Sequence, residues 1–510
     1  MFKVNVRLNT TFQILVLLAL AKFILLLLFA GNYGIFRDEY YYLECSKHLD
    51  WGFVDHPPLA MAILAVSRVM FGESLLAIRI FAYIAGAAIV MITGFIAKET
   101  GGGKYSQVLA GFASMFAATV LGNSGYFSMN VFDIFLISLF FYFLLRYINS
   151  GNLNFILLLG LLGGLALQNK LTFLFVAAGL FVALLLTPHR KLFIKKELWL
   201  AGAIAFVIIL PLLIWQLSNG IPTLEFMRNA SQRKNLSMSV PEFILNVMIE
   251  FNPVYIIFVL PALYYGLIDK EGKRNFIPVM TFVTVLFIFS VSGGKAYYMG
   301  VLQPVIIAVG AAAIERYSSF RNMFWLKPAA VVLVAASAVL VVPFAVPVLS
   351  PDRMVTYTEF LGIKPSSGER VKLGLLPQFF ADRFGWEEMV QKTAEAVNQL
   401  TPGEKNSYII FTQNYGEAGA INYYRSKYNL KQAYSFHNSY WYWGLPEYTP
   451  SVYILVGGDL EGNREFFDEV IIAAQHRNKY AMSYENLDIY ICRRPKVNIK
   501  EAWPKLKKFI

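Results

Sequence analysis

Charge is scarce in this 510-residue chain: 15% of its residues are Asp, Glu, Lys or Arg, against 57% hydrophobic and 16% aromatic, with a mean hydropathy of +0.51. That excludes a water-soluble globular protein of this length. Cysteine is scarcer still. Cys45 and Cys492 are the only two, too few for a disulfide framework, and neither belongs to a C-x-x-C pattern of metal or redox chemistry; two free thiols are the plain reading and a single bridge the other. There is no Walker-type phosphate loop, no dinucleotide fingerprint and no Asp-x-Asp pair, so ATP-driven transport and nucleotide-sugar chemistry lose support. Gly101-Gly102-Gly103-Lys104 has the composition of a phosphate loop but not the flanking strand and helix, and reads as a turn. No repeat period or low-complexity tract is evident.

What the chain has in quantity is long apolar runs, about eleven by the spanning-length criterion. They fall near 12–30, 76–97, 106–121, 133–148, 153–168, 171–187, 198–217, 252–268, 276–292, 298–314 and 326–349. The first follows Lys3 and Arg7 and imitates a secretory signal, but it is too long and lacks a cleavage site, so it reads as a span. The formal net charge of +12 forms no continuous stripe, which argues against a nucleic-acid partner; ten of the twelve excess charges lie before residue 351, in short clusters between apolar runs. With the N-terminus cytoplasmic, Lys98 and Lys104, Arg146, Arg190 to Lys196, Lys270 to Arg274, and Arg316, Arg321 and Lys327 all fall inside, as the positive-inside rule requires. The loops 31–75, 122–132 and 218–251, the turn at 293–298 and everything after 350 are then outside.

The segment after 350 changes character. Helical stretches are expected at Glu387–Leu400, Glu417–Arg425 and Arg464–Gln475, and β-like runs at Tyr408–Thr412, Val452–Val456 and Asp488–Cys492. The predicted architecture is a mainly α polytopic membrane domain, 1–350, followed by an extracytoplasmic α/β domain, 351–510.

Polar residues on the outer side need a reason. Asp38 and Glu39 follow the first span directly. A carboxylate set against lipid and aromatic rings is desolvated and suits a general base, whereas an ordinary loop acid is solvated or caps a helix. His56, in Asp55-His56-Pro57-Pro58, is either an anion contact or part of a rigid turn. His48, Asp50, Asp55 and His56 include metal-ligand types, but their spacing fits no zinc pattern, and no metal is predicted. Asp133 opens the fourth span, where a buried ionisable group is a functional candidate by default. Arg228, Arg233, Lys234 and Lys295 are outside cations, against the charge bias, and suit an anionic ligand or lipid headgroups. Lys170 falls at the turn between the fifth and sixth spans.

These residues resemble a known family, the GT-C glycosyltransferases, specifically the bacterial relatives of protein O-mannosyltransferases and of aminoarabinose lipid A transferases. The likeness covers almost the whole chain. Its carriers are Asp38-Glu39, Asp55-His56-Pro57-Pro58-Leu59, Asn130-Val131-Phe132-Asp133, Asn252-Pro253 and Gly294-Lys295-Ala296-Tyr297-Tyr298. In the C-terminal segment they are Asn414 to Ala420 and His437 to Gly444.

The resemblance implies inverting transfer of a sugar from a polyprenyl-phosphate donor to a lipid A, glycan or protein hydroxyl, at the outer face of a bacterial inner membrane. Asp38 would be the base, with Glu39 supporting it and Asp133 near the sugar or acceptor. His56, Lys295, Tyr297, Tyr298 and Arg228 or Arg233 would meet the donor phosphate. His56 stands where the aminoarabinose transferases have lysine. Glu417, His437 and Trp441 would touch the acceptor or close over the site, the alternative being that the aromatic cluster is core or membrane belt. No cofactor is required, and cationic side chains replace a divalent metal. The competing function is a transporter or flippase of a lipid-linked sugar.

Overall fold

The computed structural model describes residues 10–510 except 237, 321, 366 and 368; Lys3, Arg7 and Arg321, used above as topology markers, lie outside the described residues. Helix α1 (Thr10–Leu28) leads into a short polar helix α2 (Arg37–Lys47), the apolar α3 (Leu59–Phe71) and the long α4 (Leu75–Glu99). There follow α5 (Lys104–Phe116), α6 (Ala118–Ser124), α7 (Met129–Ser150), α8 (Asn154–Asn169), α9 (Thr172–Leu185) and α10 (Lys196–Ser218). The bundle is completed by α11 (Pro222–Asn229), α12 (Val240–Phe251), α13 (Ile256–Leu267), α14 (Phe276–Ser292), α15 (Gln303–Tyr317) and α16 (Leu326–Ala345).

Among the described residues seven helices are long and apolar enough to cross a membrane, or ten when each of three bent pairs counts as one. The eleven expected runs are these ten together with α8, which is shorter than that length criterion. Each expected run does form a helix, but 153–168 becomes α8, with 16 residues. At 1.5 Å per residue it is about 24 Å long, short of the ~30 Å hydrocarbon core. What α8 lacks in length it makes up in packing: a Cβ on Gly160 would lie 2.4 Å from the Ala201 carbonyl of α10, so only glycine allows the two backbones to meet there. Between α12 and α13 the chain turns by 101°. Asn252 adopts φ +80, its Oδ1 accepts from the Val254 amide at 3.1 Å, and Pro253 cannot continue the preceding helix.

The helix ends sort into two sets. At one end Asn149 donates to the Glu99 carbonyl (2.8 Å), the Gly103 amide to Glu315 (2.6 Å) and the Tyr105 hydroxyl to the Lys327 carbonyl (2.7 Å). At the other, Asn32 donates to the Pro347 carbonyl, Asn169 to that of Met129 and the Trp215 indole to Asp50. The C-terminal region sits on this second end.

Its sheet has five strands: β1 (Tyr408–Thr412), β2 (Ala433–Ser435), β3 (Val452–Val456), β4 (Phe467–Gln475) and β5 (Asp488–Pro495), in the order β2-β1-β3-β5-β4. The first three are parallel, and β5 runs antiparallel to β3 and β4. Arg464–Gln475, expected as helix, is mostly β4. Its Val470-Ile471-Ile472 run is strand-forming once β5 offers a ladder, Val470 opposite Cys492 and Ile471 opposite Ile491. Cys45 and Cys492 are both buried and free.

Two glycines dock this region on α2. A Cβ on Gly419 would meet the Tyr40 backbone at 2.8 Å, and one on Gly416 the Arg37 side chain at 2.5 Å. The helix Tyr415–Tyr428 therefore lies backbone to backbone along α2, started by Asn414, whose Oδ1 accepts from the amides of Gly416 and Glu417.

Candidate active site

Adjacent residues on a helix point about 100° apart, and in the first turn of α2 that separates two carboxylates into two jobs. Glu39 turns inward and is fully buried. Its Oε1 accepts from Arg79 Nε (2.8 Å) and the Phe127 amide (2.7 Å), and its Oε2 from Arg79 Nη2 (2.6 Å) and the Phe36 amide (2.8 Å). Burial alone would push this carboxyl up, but the Arg79 guanidinium and the Phe127 amide hold it below the ordinary carboxylate value. No side of it is left for a substrate: Glu39, expected to support Asp38 in the catalytic pair, ties α2 to α4 and to the turn before α7.

Asp38 turns the other way and keeps 28% of its side chain exposed. Its Oδ1 accepts from the Tyr415 hydroxyl at 2.9 Å, across 377 residues of sequence, and lies 3.5 Å from Arg37 Nε. Arg37 in turn reaches Asp382 (3.6 Å) and the Tyr484 hydroxyl. Burial pushes the Asp382 carboxyl up to about 6, against the pull of Arg37, with Asp38 and Glu369 adding like charge. Tyr415 stacks on Tyr41 (centroids 4.7 Å apart, 30° between planes), and the Tyr41 hydroxyl bonds Asp55 (2.7 Å) and Ser439 (2.8 Å).

His56 lies within this aromatic layer, 2% exposed, between Tyr41, Tyr42 and Phe53. Its Nδ1 is 3.0 Å from the Pro57 carbonyl, while Nε2 is buried without a hydrogen bond, 3.9 Å from Asp55.

The cations converge differently from the expectation. Lys295 donates to Glu369 Oε1 at 2.9 Å, and Lys234 approaches the same oxygen at 3.5 Å. Arg228 and Arg233, expected to complete an anion clamp, are exposed; the loop delivers the neighbouring Lys234 instead. Burial would raise the Glu369 carboxyl, yet Lys234 and Lys295 hold it at about 2. Lys170 joins this group from the α8–α9 turn. It donates to Asn130 Oδ1 (2.7 Å) and lies over the rings of Tyr297 (5.3 Å) and Tyr298 (4.6 Å). Tyr126 connects the two halves, within electrostatic range of Asp38 and Arg383, and Tyr297 lies within range of Tyr126 and Glu369. Asp133, one turn beyond Asn130, is fully buried beside Lys170 and Thr172; it does not open on the space above Asp38.

The residues expected at an acceptor have architectural contacts instead. Glu417 is buried and accepts from the amides of Gln413 and Asn414. His437 is buried, with Nε2 2.9 Å from the Ile510 carbonyl, and burial and Lys508 keep its imidazole well below the ordinary value. Trp441 exchanges indole-to-carbonyl hydrogen bonds with Trp503. His48, Asp50 and Asp55 serve separate partners: Trp443 stacks on His48, Trp215 donates to Asp50 and Tyr41 to Asp55. No group of three or more His, Cys, Asp or Glu among the described residues is arranged to hold a metal ion.

Residues absent from the sequence-based site are Tyr415, Arg37, Asp382, Glu369 and Arg383, while Lys234 is one of the outside cations but not the one expected at the phosphate. Tyr415 stood inside a segment singled out above, and Arg37 beside the acidic pair. Glu369 carried no signal. Arg383 is a buried guanidinium without a hydrogen bond, framed by Phe36, Tyr126 and Phe379.

A bundle of straight and bent membrane-length helices, an acidic pair on the short helix after the first, and an α/β cap over that helix make up the GT-C fold, the architecture of the solved membrane enzymes this chain resembles. The family model described as dolichyl-phosphate-mannose-protein mannosyltransferase matches residues 55–215, a stretch that begins after Asp38. The lipid A galacturonosyltransferase RgtD of Rhizobium johnstonii is 26% identical over 273 residues, 51% of this chain. The matched part spans 56% of that relative's length. Among solved structures, ArnT from Cupriavidus metallidurans bound to undecaprenyl phosphate superposes with a TM-score of 0.61 at 14% identity, covering 93% of this chain and 97% of that one. The apo oligosaccharyltransferase of Archaeoglobus fulgidus gives 0.51 at 12% identity, covering 81% and 63%. These two likenesses establish the fold.

Proposed function

We propose that the protein transfers a sugar from a polyprenyl-phosphate donor to a hydroxyl acceptor at the outer face of a bacterial inner membrane, with Asp38 as general base. The observation that carries this reading is the division of labour in α2: Glu39 is consumed by four hydrogen bonds, while Asp38 is partly open and oriented by Tyr415. The acceptor oxygen attacks C1 of the donor sugar as Asp38 takes its proton. The bond from C1 to the phosphate oxygen breaks with its electron pair leaving on phosphate, and a single displacement inverts the anomeric centre. Lys295, Lys234 and Lys170 meet the charge that develops on the leaving phosphate.

The orientation follows from charge. Lys98, Lys104, Arg146, Lys270, Lys273, Arg274, Arg316 and Lys327 belong to the helix ends remote from Asp38, which by the positive-inside rule face the cytoplasm. The name of the curated relative suggests lipid A among the acceptors and a uronic acid among the sugars.

The test is to incubate purified protein with a panel of polyprenyl-phosphate sugars and native membrane extract, and to follow free polyprenyl phosphate by mass spectrometry. Wild type should release it, while Asp38→Asn should bind donor without releasing it. Donor binding with no release from any donor by wild type would refute the transferase reading and favour a transporter.

A further inference from the structure

Lys234 and Lys295, on separate loops, point at one oxygen of Glu369, at 3.5 and 2.9 Å. The placement is built rather than incidental. The Glu369 backbone pairs with Asn235 as an isolated bridge, the Arg370 amide donates to the Lys234 carbonyl (2.9 Å), and Gln378 Nε2 donates to the second Glu369 oxygen (3.2 Å). All three charged side chains are largely buried, with exposures of 25%, 19% and 11% for Lys234, Lys295 and Glu369. Two ammonium groups that would otherwise offer a charge of +2 are thus held at a local net charge of +1.

We infer that Glu369 makes the phosphate site discriminate by charge between donor and spent lipid, disfavouring the spent lipid. This inference rests on the transferase reading above. A polyprenyl-phosphate sugar is a phosphodiester with a single negative charge. After the sugar leaves, the lipid is a phosphomonoester, which carries between one and a half and two negative charges at neutral pH because its second pKa is about 6. With Lys170 counted, three cations and Glu369 leave a charge of +2, and the repulsion from Glu369 scales with the charge on the lipid, so it is nearly twice as large for the monoester as for the diester. The carboxylate therefore repels product more than substrate, and spent carrier leaves a site that would otherwise hold it most tightly. A carboxylate that only propped up the two lysines would weaken or strengthen both lipids alike when removed.

The test measures dissociation constants of undecaprenyl phosphate and of an undecaprenyl phosphodiester in lipid nanodiscs, for wild type, Glu369→Gln, Glu369→Asp and Lys295→Ala, at pH 7.5 and 5. At pH 7.5 Glu369→Gln should tighten the monoester roughly five- to tenfold more than the diester, a span between exposed and buried charge pairs, and Glu369→Asp should restore selectivity. At pH 5, where the monoester is singly charged, the differential should disappear. Equal effects on the two lipids, or a differential that persists at pH 5, would overturn the inference and leave the transferase reading standing. Wild-type binding of neither lipid, or binding indifferent to Lys295→Ala, would overturn both. Inorganic phosphate added alone should compete weakly with the monoester; full competition at equal concentration would assign the site to free phosphate.

Discussion

Replacing Glu39 by glutamine changes one atom, and the hydrogen-bond map makes that atom expensive. Each carboxylate oxygen receives two N–H donors: Oε1 from Arg79 Nε and the Phe127 amide, Oε2 from Arg79 Nη2 and the Phe36 amide. Whichever way the new amide is turned, its NH2 group faces two donors and can satisfy neither. Arg79, also fully buried, keeps its carbonyl partners at Ala30 and Gly34 but loses its counter-ion. Breaking a buried ion pair from one side costs about 3–5 kcal/mol. Equilibrium unfolding in mixed micelles should therefore show Glu39→Gln destabilised by that amount, with activity lost in proportion to the unfolded or displaced α2. The adjacent Asp38→Asn should stay within about 1 kcal/mol of wild type, because its group is partly exposed and holds a single phenol hydrogen bond. A Glu39→Gln protein as stable as Asp38→Asn would refute the assignment of Glu39 to the framework.

Tyr415→Phe keeps the stack on Tyr41 and removes the hydroxyl that holds Asp38; kcat/KM for sugar transfer should fall about three- to tenfold with donor affinity unchanged. Gly419→Val places a branched side chain against the Tyr40 backbone, so hydrogen exchange should rise along α2 and along Tyr415–Tyr428 together, and activity should vanish. Burial and the like charge of Asp382 raise the Glu485 carboxyl to about 7, against the pull of Arg37 and the Asn414 hydrogen bond. The folded state then binds more protons than the unfolded one between the ordinary carboxylate range and neutrality, so stability should fall as pH rises from 5 to 7.5. Glu485→Gln should flatten that fall; an unchanged slope in unfolding measurements would count against it.

The helical architecture was legible because spanning runs are long and punctuated by charge, and the acidic pair was legible because nothing but function or solvation puts two carboxylates beside a span. Which carboxylate faces the bundle was not, since that depends on Arg79, forty residues on, entering α4 in a rotational phase that hydropathy does not record. The choice of Lys234 over Arg228 and Arg233 depends on where the turn after α11 ends. Glu369 could not be foreseen, because a lone glutamate in a polar stretch becomes meaningful only when two distant lysines meet it. The Arg464–Gln475 segment shows the same limit for secondary structure: its apolar residues suit a helix until β5 supplies a partner. His437 to Gly444 was conspicuous for its aromatics, and its contacts with Tyr41, Val54 and His48 make it a seam between the bundle and the sheet region.

The hydrogen bond between Tyr415 and Asp38 also sets an order of events in the life of the chain. Asp38 follows an apolar helix and is translated 377 residues before its phenol partner. Throughout that interval the carboxylate is without the hydroxyl that orients it. That bond forms only when Gly416 and Gly419 have come down on α2. A chain stalled before Tyr415, however many helices it has inserted, holds Asp38 without that hydrogen bond.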